Sequence, residues 1–350
     1  MTTRFGAESR LNGRFTILLE GEGVFYLDDN SDDIIETLPS IPNLVDPGLL
    51  ELNRAQLQAK LGPQSYLTIG RQRLAIDDQR FIGRAAFRQN EQTFDGVHLS
   101  ARTQQGITIQ TGYFARVNPA LGEDEDFGSF RGDSYYFNAN LPSPIGRLGL
   151  FHYALDLETG PRDNPTDHFS NQTTGFRYDG RWHADTFGLD IEGSYARQTE
   201  FANNPIVFDV NYWLAGAKVF AGPFRAGFRV ESLGSDGETG EAFQAFAGSR
   251  HRFQGDADIF VITPKNGLRD TEVSATWAVG RIGPLSGVTA SARYHWFNAI
   301  LNQADHGREL DLTISAGWRG FKTGLVFADY DAEFFAEDTQ RLYLSLSRDF

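Results

Sequence analysis

The last ten residues of the chain read Arg341-Leu342-Tyr343-Leu344-Ser345-Leu346-Ser347-Arg348-Asp349-Phe350. Leucines alternate here with polar residues and a tyrosine, which is the period of a β-strand with one apolar and one polar face. In a transmembrane β-barrel, such a strand pairs with the first strand and places a terminal aromatic residue at the membrane boundary. An edge strand of a soluble β protein would show the same pattern. The rest of the chain is therefore needed to distinguish a transmembrane barrel from a soluble β protein.

The same alternation recurs along the chain. Between residues 14 and 27 one face carries Ile17, Leu19, Gly21, Gly23, Phe25 and Leu27. Later segments repeat it with Asn53, Ala55, Leu57, Ala59 and Leu61, then Ile107, Ile109, Thr111 and Tyr113, and then Leu310, Leu312, Ile314, Ala316 and Trp318. About sixteen such segments of roughly ten residues fit the chain, which is the length needed to cross a membrane as a tilted strand.

Short and long connections alternate between these segments. The short ones lie near residues 62, 105, 142, 182, 222, 283 and 320, and the long ones lie near 28–48, 74–91, 118–132, 157–168, 199–206, 234–268, 299–307 and 331–339. This predicts a single all-β domain over residues 1–350: an antiparallel, up-and-down transmembrane barrel of about sixteen strands with eighteen as the alternative, short periplasmic turns and long extracellular loops. Residues 1–12 are either strand or a periplasmic extension, with a possible turn at Asn12-Gly13. A soluble sandwich or a β-solenoid would also alternate.

Composition supports this fold class and excludes several functions. The chain has 37 glycines, 29 phenylalanines and 12 tyrosines, no cysteine, and a net charge of −14. Without cysteine there is neither a disulfide framework nor a thiolate metal site. The acidic balance argues against a nucleic-acid partner, since phosphates require a basic surface. No run of about 18 apolar residues exists for a transmembrane helix, and alternating strands explain the mean hydropathy of −0.37.

The predicted location is the outer membrane of a Gram-negative bacterium. Met1-Thr2-Thr3 does not resemble a signal peptide, so this reading requires that a leader has been removed. The expected partners are outer-membrane lipid and lipopolysaccharide, a small polar or saccharide solute, and the barrel assembly machinery, which would bind the C-terminal strand ending at Phe350. No cofactor and no metal are expected. The acidic runs 28–33 and 123–126 could hold calcium, but the loop glycine of an EF-hand is missing.

If the apolar face meets lipid, the other face lines a lumen. The predicted pore-lining residues are Arg54, Arg116, Arg177, Arg181, Asp190, Glu192, Lys218, Arg225, Arg229, Glu231, Glu272, Arg293, Glu309, Asp311, Lys322 and Arg341. They are open to two interpretations. The charges form cross-strand ion pairs that stabilise the wall, or arginines such as Arg177, Arg225, Arg229 and Arg293 form a basic track that binds carboxylates.

Two connections mix apolar and charged residues in a way that is unusual for free extracellular loops. They span residues 74–92 and 243–264, and we expect them to fold into the lumen and narrow the pore. The constriction candidates are Asp77, Asp78, Arg80, Arg84, Arg88, Glu91, Arg250, Arg252, Asp256 and Asp258. A structured rim without a gating role is the alternative.

One block of sequence resembles a known family. Gly70-Arg71-Gln72-Arg73-Leu74, Asp78-Gln79-Arg80-Phe81-Ile82-Gly83 and Arg88-Gln89-Asn90-Glu91-Gln92-Thr93-Phe94-Asp95 are similar to the signature of the alginate export family of bacterial outer-membrane proteins. Further similarities occur at 195–198, 253–258 and 328–331. The resemblance implies a monomeric barrel that conducts polar solutes. In the alginate exporter of this family, an arginine-rich passage handles an anionic polysaccharide.

The sequence therefore predicts a non-enzymatic porin for the passive diffusion of small hydrophilic solutes, anionic or saccharide in character. One alternative is a dedicated export channel for an anionic polysaccharide such as alginate, which needs a continuous basic track. The other is a barrel enzyme, which would assemble a nucleophile and a base from distant strands. The sequence shows neither a Gly-x-Ser-x-Gly motif nor a phosphate-binding loop.

Overall fold

The computed structural model describes residues 1–25, 48–122, 128–158 and 169–349. These residues form β-strands joined by turns and loops, with one short 3-10 helix at Arg250–Arg252. The strands are β1 Thr2–Leu11, β2 Phe15–Val24, β3 Leu49–Gly62, β4 Ser65–Gln72, β5 Thr93–Arg102, β6 Thr108–Asn118, β7 Phe130–Ser143, β8 Gly146–Leu155, β9 Asn171–His183, β10 Phe187–Glu200, β11 Asp209–Ala221, β12 Phe224–Leu233, β13 Leu268–Ile282, β14 Leu285–Asn298, β15 Asp305–Trp318, β16 Phe321–Ala332 and β17 Thr339–Ser347. No helix in these ranges is long and apolar enough to cross a membrane.

Each strand pairs with the next one in the chain, and every pairing is antiparallel. This confirms the predicted all-β, up-and-down topology. The described chain has seventeen strands instead of about sixteen, because residues 2–11 form β1 and hydrogen-bond to β2 through a turn at Asn12 and Gly13. Short turns collect at one end of the sheet, called the turn end here, and the longer connections collect at the other, the loop end.

The outer face of the sheet is an exposed apolar surface, as the alternation predicts. Leu312 and Ile314 on β15 are 43% and 53% exposed, and Leu344 on β17 is 79% exposed. Their neighbours in sequence turn inward, so that Asp311 is buried and Tyr343 contacts an inward loop. The aromatic residues expected at both ends of this surface are also present: Phe15, Trp182, Phe187, Phe224, Trp277 and Trp318 towards the turn end, and Tyr113, Tyr135, Tyr195, Trp213 and Trp296 towards the loop end, all exposed.

Two β-bulges change which face a residue occupies. A shift in register after Glu20 leaves Asn53 without a partner on β2, and Asn53 is buried with its amide donating to Glu20 at 3.1 Å. The prediction that Asn53 shares the apolar face was therefore wrong. A second shift sets Arg116 opposite Asp95, whereas the next pair along, Phe94 and Val117, is buried.

Arg116 consequently lies on the face opposite that buried pair, and its Nε donates to the Ser129 hydroxyl at 2.9 Å. The structure thus removes Arg116 from the predicted pore lining. A bulge inserts one residue into one strand only. The alternation of residues along a single strand therefore does not reveal it.

The sheet curls around the two inward connections until both of its edges contact them. On β1, Arg4 lies 3.8 Å from Glu91 of the first connection. On β17, the Tyr343 hydroxyl donates to the carbonyl of Asp256 in the second connection at 3.1 Å. Among the described residues β17 does not hydrogen-bond to β1, so the predicted pairing of last and first strands is not seen. Phe350 lies outside the described residues.

Gly70 provides a test of the strand packing. It lies in β4 with φ +112°, and an added Cβ would stand 2.2 Å from the carbonyl oxygen of Ala55 on β3. We expect Gly70→Ala to lower the free energy of unfolding by more than about 2 kcal/mol, because both the backbone conformation and the close contact oppose a side chain. Gly193→Ala is the matched control, since its nearest atom would be 3.8 Å away. Equal urea midpoints for the two variants would contradict this account.

Candidate functional site

Two connections fill the space enclosed by the sheet: residues 73–92, the first inward loop, and residues 243–264, the second inward loop. Their backbones are joined directly, since Gly83 N donates to Ala247 O at 2.8 Å and Ser249 N donates to Gln79 O at 2.9 Å. The Gln92 amide bridges them further by donating to Gly83 O and to Ala247 O, both at 2.7 Å. The two loops therefore form one body, and the prediction that they fold inward agrees with their position.

An aromatic cluster holds this body against the wall. Phe81 of the first loop packs against Phe151 on β8 and Tyr212 on β11, with ring centroids 5.2 Å apart in each case. Phe243 at the start of the second loop lies 5.3 Å from Tyr212 and 5.8 Å from Phe81. Tilted and edge-on aromatic packing of this kind adds to the stabilisation from apolar burial. The inner face of the sheet is thus partly a packed core.

Ion pairs anchor the first loop at its centre. The Arg177 guanidinium on β9 pairs with Asp78 and also with Asp179 at 3.0 Å and Glu192 at 3.2 Å. Burial alone would raise the pKa of Asp78, but the Arg177 guanidinium outweighs it and holds that pKa below its usual value. Asp78 is therefore ionised at neutral pH, and its attachment to the wall persists until the pH falls below the ordinary range for a carboxyl.

A deeply buried ion pair joins Arg80 to the wall. Its Nε lies 2.8 Å from Glu231 on β12, and both side chains are almost completely excluded from solvent. Glu231 also accepts from the Tyr212 hydroxyl at 2.6 Å and lies 3.5 Å from Arg229. The Arg80 guanidinium is stacked over Phe253 of the second loop at 4.7 Å. Removing one partner of such a pair would leave an uncompensated buried charge, which costs more than the pair contributes.

A parallel set of contacts anchors the second loop to β14 and β15. Asp256 accepts from Arg293 at 2.6 Å, and Arg293 also lies 3.0 Å from Asp311. The backbone N–H of Ala257 donates to the Glu309 carboxyl at 2.7 Å. Behind these residues the imidazole of His295 contacts Asp270 on β13 at 2.9 Å.

The remaining constriction candidates pair within or between the loops and β1–β4. Glu91 contacts Arg73, and Arg84 lies 3.9 Å from it. Asp258 contacts His251 at 2.7 Å and Arg88 at 3.3 Å. Burial would raise the pKa of Asp258, but the hydrogen bond with His251 and the Arg88 guanidinium hold that pKa below its usual value.

Two further candidates donate to backbone carbonyls. The guanidinium of Arg250 donates to Val261 O at 3.1 Å, and burial lowers the pKa of Arg250 to about 10. Arg252 donates to Asp78 O at 3.3 Å. The remaining member, Asp77, accepts from the amides of Asn138 at 2.6 Å and Asn140 at 2.9 Å.

Below the loops, towards the turn end, lies a polar cavity of about 730 Å³ between the first loop, the tip of the second loop and β8–β13. Its charged lining balances six basic side chains, Arg147, Arg177, Arg181, Lys218, Arg229 and Arg252, against six acidic ones, Asp77, Asp78, Asp179, Asp190, Glu192 and Glu272. Lys218 on the wall and Arg252 on the loop have no ion pair among the residues that the structure describes. In the same ranges no three His, Asp or Glu side chains are grouped to hold a metal ion.

The predicted pore-lining residues other than Arg116 fall into three groups: those level with the loops, of which Arg177, Arg229 and Glu272 also border the cavity, those that only border the cavity, and those that lie elsewhere. Arg177, Arg229, Glu231, Glu272, Arg293, Glu309 and Asp311 lie level with the loops and are paired or buried, as is Arg54, which pairs with Glu20 at 2.5 Å. Arg181, Asp190, Glu192 and Lys218 border the cavity. Arg225 lies over Phe220 at the turn end, Lys322 pairs with Asp349 at 2.9 Å, and Arg341 faces inward beside Tyr343.

These contacts bear directly on the predicted basic track. Arg177, Arg229 and Arg293 each contact at least two carboxylates, so their charges are largely used in holding the loops and the wall together. Only Arg225 of that set lies apart from a carboxylate in the described ranges. The arrangement is closer to the ion-pair interpretation than to a continuous track.

Sequence reasoning missed several residues that fix the loops. Gln198 on β10 donates to Gln244 O at 2.8 Å and accepts from Gln244 N at 2.9 Å. Tyr212 and Asp270 are buried partners of Glu231 and His295. Each has the inward parity of its strand, which was the available signal, but a glutamine or tyrosine at such a position does not reveal which loop it will contact.

Part of the chain matches the model of a known protein family. The model of the family described as alginate export matches residues 50–199. A comparison with curated protein sequences finds no match.

Solved structures match over almost the whole chain. They include OccK9 (OpdG) of Pseudomonas aeruginosa, with 18% identity and a TM-score of 0.74 over 99% of this chain and 91% of that one. OpdK of P. aeruginosa with vanillate has 15% identity and a TM-score of 0.68 over 99% and 90%. A BenF-like porin from Pseudomonas fluorescens Pf-5 has 12% identity and a TM-score of 0.69 over 99% and 90%.

The matched residues 50–199 contain the block 70–95 on which the resemblance in sequence was based. They also contain the first inward loop and Arg177, which anchors it. The structural matches extend the likeness in fold beyond that region to the complete sheet. The predicted resemblance is thereby confirmed: residues 50–199 match the alginate export family, and the whole chain has the same fold as these outer-membrane porins.

Proposed function

We propose that the chain forms a closed barrel in the outer membrane and acts as a channel for small hydrophilic solutes that carry a carboxylate. The observation that carries the proposal is the polar cavity beside the inward loops, with Lys218 and Arg252 facing it from opposite sides. Its volume of about 730 Å³ lies in the range of small-molecule sites. No reaction is part of the proposal.

The apolar outer face supports a location in a membrane. A sheet in hydrocarbon cannot leave backbone groups unpaired, so its edges must be closed. Both edge strands run from the loop end to the turn end, because Thr2 pairs with Val24 next to a long connection and β17 follows residues 333–338. If β17 and β1 pair directly, they therefore meet as a parallel pair in an otherwise antiparallel sheet.

The position of the inward loops favours small solutes over a polymer as the transported molecule. They contact the wall from β1, through Arg4 and Glu91, to β17, through Tyr343 and Asp256. Their anchors on β9, β12 and β14 are ion pairs, of which the Arg80–Glu231 pair is buried and the other two are half-buried. A constriction fixed on all sides selects solutes by size and by the charges beside it.

The two cations account for the preference for carboxylates. A guanidinium can bind a carboxylate through two hydrogen bonds, and an ammonium attracts it as a point charge. Lys218 and Arg252 are available for this, in contrast to the paired arginines around them. A related fold, OpdK, has been solved with vanillate, itself a small carboxylate. That likeness suggests a first solute to test.

A dedicated export channel for an anionic polysaccharide is the second candidate, favoured by the family match over residues 50–199. It would need the inward loops to move, since a polysaccharide chain requires a continuous bore. The ion pairs of Asp78 and Arg80 oppose such movement.

The outer face can be tested with one substitution and its neighbour. Ile314→Arg places a charge on the apolar outer surface of β15, and we expect it to cost about 2–4 kcal/mol of folding free energy in lipid. Thr313→Arg puts the same side chain on the inner face and should have a much smaller effect. Folding into vesicles is measured by the shift in gel mobility between unboiled and boiled samples. Equal folding yields would argue against a lipid-facing belt.

The carboxylate site can be tested in planar bilayers. We expect the double variant Lys218→Gln with Arg252→Gln to weaken the block of ionic current by vanillate about tenfold, because both available cations are lost. Lys322→Gln removes an inward lysine that pairs with Asp349 and does not border the cavity, so it should leave the block unchanged. A similar weakening of the vanillate block in both variants would mean that the block depends on the overall charge of the lumen and not on a site at Lys218 and Arg252.

Oligouronates separate the channel from the exporter. We expect ohmic single-channel conductance that short oligouronates do not block at low micromolar concentration, because the fixed loops leave no bore for a polymer. Block at that concentration would favour the export channel. Absence of any conductance would overturn both.

A further inference from the structure

A stacked group of two aromatic and two cationic side chains lies at the turn end of strands β15, β16 and β17. Trp318 and Phe321 flank the turn between β15 and β16 and pair across it, with ring centroids 6.2 Å apart. The guanidinium carbon of Arg319 lies 5.5 Å from the Trp318 ring, and that of Arg348 lies 5.1 Å from the Phe321 ring. Trp318 has the parity of Leu312 and Ile314, so the group lies at the lower border of the apolar outer surface.

The backbone at Arg319 indicates that its side chain has a role beyond the turn. Arg319 has φ +48° and is followed by Gly320 at φ +85°, the conformation of a two-residue hairpin turn. In the three-residue loop of the β1–β2 hairpin, a left-handed residue is likewise followed by a glycine: Asn12 has φ +52° and Gly13 has φ +63°. Asparagine is favoured at this left-handed position, whereas a long side chain is disfavoured there. Arginine thus occupies a position that turn formation alone would assign to another residue.

Charge is separated along these three strands. The loop end carries five acidic residues, Asp305, Asp331, Glu333, Glu337 and Asp338, beside two basic ones, Arg308 and Arg341, and the turn end carries Arg319, Lys322 and Arg348. Asp349 at the turn end already pairs with Lys322. Arg319 is exposed and has no carboxylate within ion-pair distance in the described parts of the chain. An exposed cation held over an aromatic ring beside an apolar surface is the arrangement that suits a phosphate group at a membrane surface.

We infer that Arg319, Trp318, Phe321 and Arg348 form a binding site for the phosphate of an anionic phospholipid headgroup, with the acyl chains lying along the outer surface of β15–β17. The inference rests on the proposed location of the sheet in a membrane. The short turns of outer-membrane barrels face the periplasm, so the lipid would belong to the inner leaflet. The site is separate from the cavity, since none of its residues borders it.

Lipid retained by the full chain after purification in detergent tests the site. Native mass spectrometry with added phosphatidylglycerol measures it, and we expect Arg319→Asn to weaken retention about fivefold, the effect of one surface cation. This variant should fold at least as well as the wild type, because asparagine suits the turn. Arg348→Gln should act in the same direction. Arg308→Gln is the matched control, since Arg308 is an exposed arginine at the loop end of the same strand, and it should retain lipid normally.

Three results would each overturn the inference, two from the variants and one from a competing anion. The first is unchanged retention in Arg319→Asn, and the second is an equal loss in Arg308→Gln. The third is displacement of the lipid by millimolar inorganic phosphate, which would identify a site for soluble anions instead of a headgroup. Failure of the channel proposal would be seen as an absence of conductance in bilayers. Lipid retention is measured in a separate experiment and does not depend on conductance.

Discussion

The structure depends on one constraint: each strand satisfies its backbone hydrogen bonds with its neighbours in the sheet, so that its side chains are divided strictly between two faces. Seventeen strands joined in sequence order apply this division over the whole described chain. The outer face becomes a continuous apolar surface bounded by aromatic residues, and the inner face receives the charges. Residues that break the alternation, such as Asn53 and Arg116, do so at bulges, where one strand gains a residue that its partner lacks.

The inner face is organised by neutralisation of charge. Arg177, Arg229 and Arg293 could have formed a free basic surface, but acidic residues on the loops and on adjacent strands pair with them. A buried unpaired charge is costly, and most of the charged residues that the loops carry inward pair with the wall or with the other loop. The loops are thereby held at several points around the sheet. What remains for a solute is the cavity at the turn end and the few cations that the loops do not use.

This arrangement relates the family likeness to the proposed function. The block 70–95 that resembles the alginate export family contains the residues that form the first inward loop, including Gly83 and Gln92, which join it to the second loop. The matched region therefore includes the segment that packs against the inner face of the sheet in this chain. In the function proposed here, the chemistry of the solute depends on other side chains, such as Lys218 and Arg252, which border the cavity.

The sequence by itself determined the fold class, the up-and-down order of the strands, the two faces and the inward position of both loops, because period-two alternation and the lengths of connections are local properties that are visible in one chain. It did not determine β1 as a separate strand, the bulges at Asn53 and near Arg116, or the partners of the inward charges. Those depend on register, which sets which residues on neighbouring strands lie opposite each other, and on how far the sheet curls. Only the tertiary structure brings Arg80 to Glu231 and Asp256 to Arg293, residues far apart in the chain whose pairing no local pattern encodes.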